Sequence, residues 1–292
     1  MTANYKFQMQ TEIEMATAAP LANEMINTPA EATGEYKEML VRLLTRQIYA
    51  ETATSEVFGK AITAAPNWQE KELAAEFAAE EARHARGLYD ILTDLGEDPE
   101  AIIAGRPDAE KYWSLDLSNW LDIAVFNFTV DRAGSHQIME YRQSSYVPWG
   151  ESQEEVLEDE EDHYGNGVEN LKQFAKDPEQ LAAFQKIFDR VMPNCIKRAF
   201  GRLEGPDNEF CLQHGLKRHT TEEIINRYLE EMREHMDGTG LMFPTMSAFE
   251  FLASSILLSS HTTATFIDLP VPPGKFTTVL RLTSFFFCLL LI

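Results

Sequence analysis

The sequence has no apolar run long enough to cross a bilayer, no closely spaced cysteines and little positive charge. Each absence removes a class of protein. The longest apolar stretch, Ser284 to Ile292, reads SFFFCLLLI and falls well short of the roughly 20 residues of a spanning helix. The N-terminus carries Glu12 and Glu14 and no apolar run, so no secretory signal is read and a cytoplasmic location is expected. Cys195, Cys211 and Cys288 form no short-spaced pair, which argues against a zinc knuckle, an iron–sulfur cluster or a disulfide framework. Lys and Arg number 25 against 47 Asp and Glu, a formal charge of −22, and a field of that sign repels phosphate backbones. Nucleic acid is therefore not expected as a partner. Alternating β-branched runs are scarce, which points away from sheet folds.

What the sequence does have is helical periodicity. Hydrophobic residues make up 44% of the 292, enough for a full core. Pro and Gly punctuation separates long segments whose apolar residues recur in steps of three and four. Helices are predicted at about 36–60, 68–95, 117–144 and 151–175, with two more at about 178–200 and 221–236. Long helices joined by short loops favour an antiparallel bundle, so the expected fold is all-α. Residues 1–35 are expected to be an arm, 36–245 the helical domain, and 246–292 a divergent apolar tail.

In each of the first four stripes an ionisable residue stands where an apolar one belongs. The stripes read Leu44-Ile48-Glu51-Ser55, Phe77-Glu81-His84-Leu88, Phe128-Asp131-Ser135-Ile138 and Leu157-Glu160-His163-Gly167. Burying an unpaired carboxylate costs several kcal/mol, and a metal ion offsets that cost for several carboxylates at once. The second and fourth helices carry Glu-x-x-His, at Glu81–His84 and Glu160–His163, and positions i and i+3 share a face. The first and third supply single carboxylates, Glu51 and Asp131. Positions 51 and 81 are 30 apart and 131 and 160 are 29 apart, so the helix pairs look like two copies of one half-site. This is the general pattern of di-iron and di-manganese carboxylate bundles, in which both single carboxylates are Glu. The expected architecture is a ferritin-like antiparallel four-helix bundle with additional C-terminal helices. The expected metal ligands and catalytic residues are Glu51, Glu81, His84, Asp131, Glu160 and His163. Oxygen and nitrogen donors suit iron or manganese. The donor set alone leaves oxygenation, iron storage, peroxide reduction and radical generation open. Glu80 and most of the acid run Glu154–Asp162 are read as solvated.

Several segments resemble the phenylacetate-degradation family, and within it the catalytic subunit type of phenylacetyl-CoA epoxidase. They are LVRLLTRQIYAE ending at Glu51, EEARHARGLYDIL from Glu80, FTVDRAGSHQ around Asp131, RQSSYVPW from Arg142 and EDHYGNG from Glu161. AFGRLEGPDN and LKRHTTEEIINRYLE lie further along, and the resemblance is read over about 36–245. It implies two iron ions on the six residues named above. It also implies O2 as co-substrate, an aromatic acyl-CoA thioester as substrate and a ring 1,2-epoxide as product. A paralogous scaffold subunit and an external reductase are the implied partners, since no flavin or cluster motif is present. Another substrate for the same chemistry, or a non-catalytic scaffold role, are the alternatives.

Residues 186–219 contain Lys186, Arg190, Lys197, Arg198, Arg202, Lys217 and Arg218. Lys197, Arg198, Arg202, Lys217 and Arg218 are the candidate contacts for CoA phosphates. A docking face or a mixed-charge surface are the competing readings. The terminal apolar run is an aggregation liability when exposed, and a shifted reading frame or truncated gene model is favoured over packing on the bundle, a subunit interface or shallow membrane insertion. The six candidate ligands all precede residue 164. A chain truncated after Thr245 is therefore expected to keep its helical melt by circular dichroism and its metal content. Unfolding or metal loss on truncation would move the domain boundary into the tail.

Overall fold

The computed structural model describes residues 25–201, 205–244, 265–268 and 278–281. Arg202 and the SFFFCLLLI segment lie outside these.

Four long helical segments form two hairpins. Helix α1, Gly34–Ala64, stops where Ala65 takes an extended conformation before Pro66, since a residue preceding proline is disfavoured in the helical region. Asn67 then caps α2, Trp68–Asp94, by accepting from the Glu70 N–H. Gly96, at φ +81°, ends that hairpin arm. Two short helices, α3 at Pro99–Ala104 and α4 at Ala109–Trp113, fill the crossover. The second hairpin begins with α5, Trp120–Phe126, and continues through a π-turn, Asn127–Asp131, into α6, Arg132–Arg142. It returns as α7, Val147–Phe174, with Pro148 in the first turn, where its missing N–H costs nothing. Helices α8, Pro178–Ala199, α9, Pro206–Gln213, and α10, Thr221–Met236, pack outside the four. A capping box between Thr220 and Glu223 starts α10. The predicted all-α bundle is the fold found. In the tail, β1, Thr265–Asp268, pairs antiparallel with β2, Thr278–Arg281.

Three differences from the expected elements have local causes. Helices α3, α4 and α9 are too short to show a period. The expected third helix, 117–144, is interrupted by the π-turn, whose extra residue re-aims the helix beyond it, and the turn ends on Asp131. Part of the expected arm docks: Ile26 N–H donates to Ser145 O at 2.8 Å, and Val147 N–H donates to Ile26 O at 2.9 Å.

The apolar interior falls into two main clusters. One holds Phe58, Phe77, Phe126, Phe128, Phe184 and Phe188; the other holds Leu40, Leu44, Ile48, Leu88, Leu92 and Trp149. Along α1 the second cluster ends at Ile48 and the first resumes at Ala53. Along α2 the first ends at Phe77 and the second resumes at Ala85. The candidate ligands occupy the gaps.

Helix α7 meets the π-turn at Gly167. A Cβ there would lie 2.5 Å from Phe128 N and 2.6 Å from Asn127 C, both backbone atoms that cannot swing away. Gly165 is exposed, and a Cβ there would meet nothing within 4 Å. Gly167→Ala should lower stability by about 3 kcal/mol and the melting temperature by on the order of 10 °C. Gly165→Ala should raise stability by roughly 0.5–1 kcal/mol through helix propensity. Thermal melts of the two variants test this; equal melting points would mean that α7 and the π-turn are not in backbone contact.

Candidate metal centre

Glu51 of α1, Glu81 and His84 of α2 and Glu160 of α7 are all buried, and each offers a ligand atom within 4.8 Å of the others. His84 Nδ1 lies 3.6 Å from Glu51 Oε2 and 4.0 Å from Glu81 Oε2. The other Glu81 oxygen, Oε1, lies 3.3 Å from His163 Nδ1. Glu81 therefore reaches both imidazoles, one with each oxygen, and links His163 to the group of four. Asp131 falls outside that group. It is buried at the end of the π-turn, and its charge interacts with Glu160, His163, Glu81 and Glu51. The six residues singled out in the sequence thus meet in one buried place, four of them tightly.

Both imidazoles are oriented from behind. His84 Nε2 lies 3.0 Å from Asp159 Oδ2, and His163 Nε2 lies 2.9 Å from Glu80 Oε2. Each contact crosses between α2 and α7, and the two are related as mirror partners in the sequence. A carboxylate at Nε2 holds the proton there and leaves the Nδ1 lone pair facing the cluster. Glu80 and Asp159 therefore correct the reading of these acids as solvated residues. The signal was present: both motifs read acid-Glu-x-x-His, at 80–84 and 159–163. Arg83 spans the two acids, 3.7 Å from Glu80 and 3.6 Å from Asp159. Glu51 is fixed by Gln47, whose Nε2 donates to it at 3.0 Å and to Gln153 Oε1 at 2.6 Å. Trp149 Nε1 holds the Gln47 oxygen at 2.8 Å. Phe77 and Phe58 pack on the His163 ring at centroid distances of 4.2 and 5.2 Å.

The electrostatics stem from burial. Glu81 sits well above the usual carboxylate range because it is buried and faces Glu51 and Glu160. Asp131 is raised by burial and by Glu160, and Glu160 is pushed up to about 7, chiefly by burial. Burial opposes charge on His84, but the Glu51 carboxylate beside its Nδ1 and the other surrounding carboxylates win, raising it to about 10. Glu81, Asp131, Glu160 and His84 thus all favour the protonated form more than they would in water.

Five polar atoms here have no hydrogen-bond partner among the described residues: Glu81 Oε1, His84 Nδ1, Asp131 Oδ2, Glu160 Oε2 and His163 Nδ1. Buried polar atoms are seldom left unsatisfied, and these five are all of ligand type. The donor set, carboxylate oxygens with two imidazole nitrogens, fits hard to borderline divalent ions such as iron or manganese. The residues present therefore fit a metal site.

A cleft enclosing about 580 Å³ of empty space, part of it open to solvent, leads to the cluster. Glu51, Glu81, Asp131 and Glu160 line it, as do Arg46, Gln137, Tyr112 and Arg198. Of the four described basic residues expected to form a phosphate-binding patch, Lys217 is not at the surface. Lys217 is only 3% exposed, since the turn after α9 carries it inward. Arg218 is half-buried and donates to Gln143 O at 3.0 Å. Lys197 is exposed, and the exposed Arg198 stacks over Tyr112, 4.8 Å from the ring centroid, on the cleft wall. Arg46, unnoticed in the sequence, joins it by donating to the Arg198 and Ala199 carbonyls at 3.4 and 3.3 Å.

Metal binding requires deprotonated ligands, and His84, raised to about 10, carries a proton at pH 7, where Glu160, raised to about 7, is partly protonated. Anaerobic Fe(II) titration at pH 7 should release at least about one proton per chain, and affinity should rise as pH climbs past about 7, where Glu160 titrates. Asp159→Asn should weaken binding by about 10- to 100-fold, and His84→Ala by more. Calorimetry in buffers of different ionisation enthalpy reads both quantities. Proton-neutral binding, or full affinity in both variants, would place the metal elsewhere.

Among the described residues no helix is long and apolar enough to cross a membrane. No curated protein matches the chain. The family model described as phenylacetic acid catabolic protein matches residues 8–252, which takes in most of the expected arm and runs past Thr245. With that match covering most of its length, the chain belongs to the phenylacetic acid catabolic protein family.

Proposed function

We propose that the chain is the catalytic subunit of a di-iron monooxygenase that inserts one oxygen atom of O2 into the ring of an aromatic acyl-CoA thioester, as in 1,2-epoxidation of phenylacetyl-CoA. The second oxygen atom leaves as water, with two electrons and two protons. One observation carries the reading: a cleft with arginines on its wall ends on four buried carboxylates backed by two imidazoles, and five atoms of this group lack partners among the described residues. The family's role in phenylacetic acid catabolism supplies the substrate class. A scaffold subunit would have no need of an intact ligand set.

In this reading Glu51, Glu81, His84, Asp131, Glu160 and His163 hold the two ions. Bound ferrous ions supply electrons and Lewis acidity to dioxygen. The protein's own part is placement. Glu81 reaches toward both imidazoles, Asp159 and Glu80 fix the ring tautomers, and Gln47 steadies Glu51. Phe58 and Phe77 cover His163 and keep water from that side. Arg198 and Arg46 lie on the cleft wall, where CoA phosphates or the polar pantetheine arm would pass. Replacement electrons come through a reductase, and a paralogous scaffold subunit is the expected partner.

Reduced, iron-loaded protein given a mixture of acyl-CoA thioesters and ¹⁸O2 should yield an aromatic acyl-CoA bearing one labelled oxygen, read by mass spectrometry. Arg198→Glu should raise KM about five- to tenfold at low salt, with the gap closing as salt rises. Absence of labelled product from every thioester would sink the acyl-CoA reading while leaving the metal site standing.

A further inference from the structure

Gln137 lies on α6, six residues beyond Asp131, is only 4% exposed and lines the same cleft as Glu51, Asp131 and Glu160. Its amide orientation is dictated by its neighbours. Lys217 Nζ lies 3.3 Å from one amide atom, and the Tyr141 hydroxyl lies 3.2 Å from the same atom. An ammonium only donates, so that atom must be the oxygen. The NH2 end is therefore turned away from Lys217, and Gln137 Nε2 has no acceptor among the described residues. A buried, unpartnered N–H donor on a residue that lines a cleft is costly unless something accepts from it. Lys217 adds to this. It is buried, its ammonium spends its hydrogen bond on Gln137 Oε1, and a cation on the oxygen side strengthens the N–H on the other.

Resting on the acyl-thioester reading above, we propose that Gln137 Nε2 donates to the carbonyl oxygen of the substrate, with Lys217 and Tyr141 as the positioning residues that hold its amide in that sense. This assigns Lys217 a place behind the cleft wall in place of a surface contact to phosphate. It also makes the site selective for ligands with an acceptor oxygen at that depth. An ether or thioether of the same shape leaves the donor unpaired.

The test compares phenylacetyl-CoA with S-(2-phenylethyl)-CoA, in which a methylene replaces the carbonyl. Both are titrated into the iron-loaded full chain without oxygen. Wild type should bind the thioester about five- to tenfold more tightly than the thioether. Gln137→Leu should bring the ratio close to one by weakening only the thioester. Gln137→Glu, which keeps the side-chain shape and pairs with Lys217, should bring it to one or below by setting acceptor against acceptor. Lys217→Met should lower the ratio partway, because the amide is then free to turn over. A wild-type ratio of one, or a ratio unchanged in the Gln137→Glu variant, overturns the assignment and leaves Nε2 holding water only. Failure of wild type to bind either compound overturns the acyl-thioester reading and this assignment together.

Discussion

The structure depends on placing four carboxylates and two imidazoles together in a gap between two apolar clusters. Unscreened, such a group is strongly unfavourable, because each buried charge loses hydration and the carboxylates repel one another. Protons relieve the repulsion in the metal-free chain, which is why Glu81, Asp131 and Glu160 are all raised. A pair of divalent cations relieves it more completely, since each ion interacts with several ligands at once. The apolar clusters on either side hold the four helices in register whether or not the centre is filled. Their aromatic side chains tie α1, α2, α5 and α7 together at one end, and Trp149, Leu88 and Leu44 do so at the other.

The outer carboxylates make the arrangement specific. Glu80 and Asp159 each precede a candidate-ligand glutamate by one residue yet serve the histidine of the opposite helix. One step along a helix turns the side chain by about 100°, so a residue next to a ligand faces the neighbouring helix instead of the centre. The same rotation repeated on α2 and α7 produces two crossed carboxylate–imidazole pairs. These brace the helices against each other at the depth of the site. Arg83 spans the pairs on the solvent side and neutralises part of their charge.

Much of this was legible in the sequence because it obeys the period of a helix. The stripes gave four long helices within a few residues of their ends, and the candidate ligands came from the breaks in those stripes. Glu80 and Asp159 were passed over because neither lies on an apolar stripe, although their repeated position before Glu-x-x-His was readable. The π-turn left no mark on the stripe containing Phe128 and Asp131, since one inserted residue is lost in the scatter of a period of 3.6. Lys217 was misplaced because charge counting along the chain carries no information about depth. A lysine in a turn reads as surface, and only the packing of α9 and α10 against α6 takes it inside.

The buried polar groups of α6 extend the logic of the centre outward. Beyond Asp131, Arg132 and His136 both meet Glu231 of α10, and Glu231 is held far below the usual carboxylate range despite its burial, by Arg132 and His136. Glu140, one turn further, accepts from the Arg218 and His219 backbone N–H groups at 2.9 Å each. Between them, Gln137 is tied to Lys217. Helix α6 is thus anchored at three successive levels by charged or polar residues from α10 and the turn before it. Tyr228 of α10 adds a fourth anchor by donating to the Thr129 carbonyl inside the π-turn at 3.0 Å. An α-helix broken by a π-turn has a carbonyl displaced from its normal partner, and an external hydroxyl stabilises that break. Helix α10 therefore supports the centre without supplying a ligand. It holds the π-turn open, and the π-turn sets where Asp131 points.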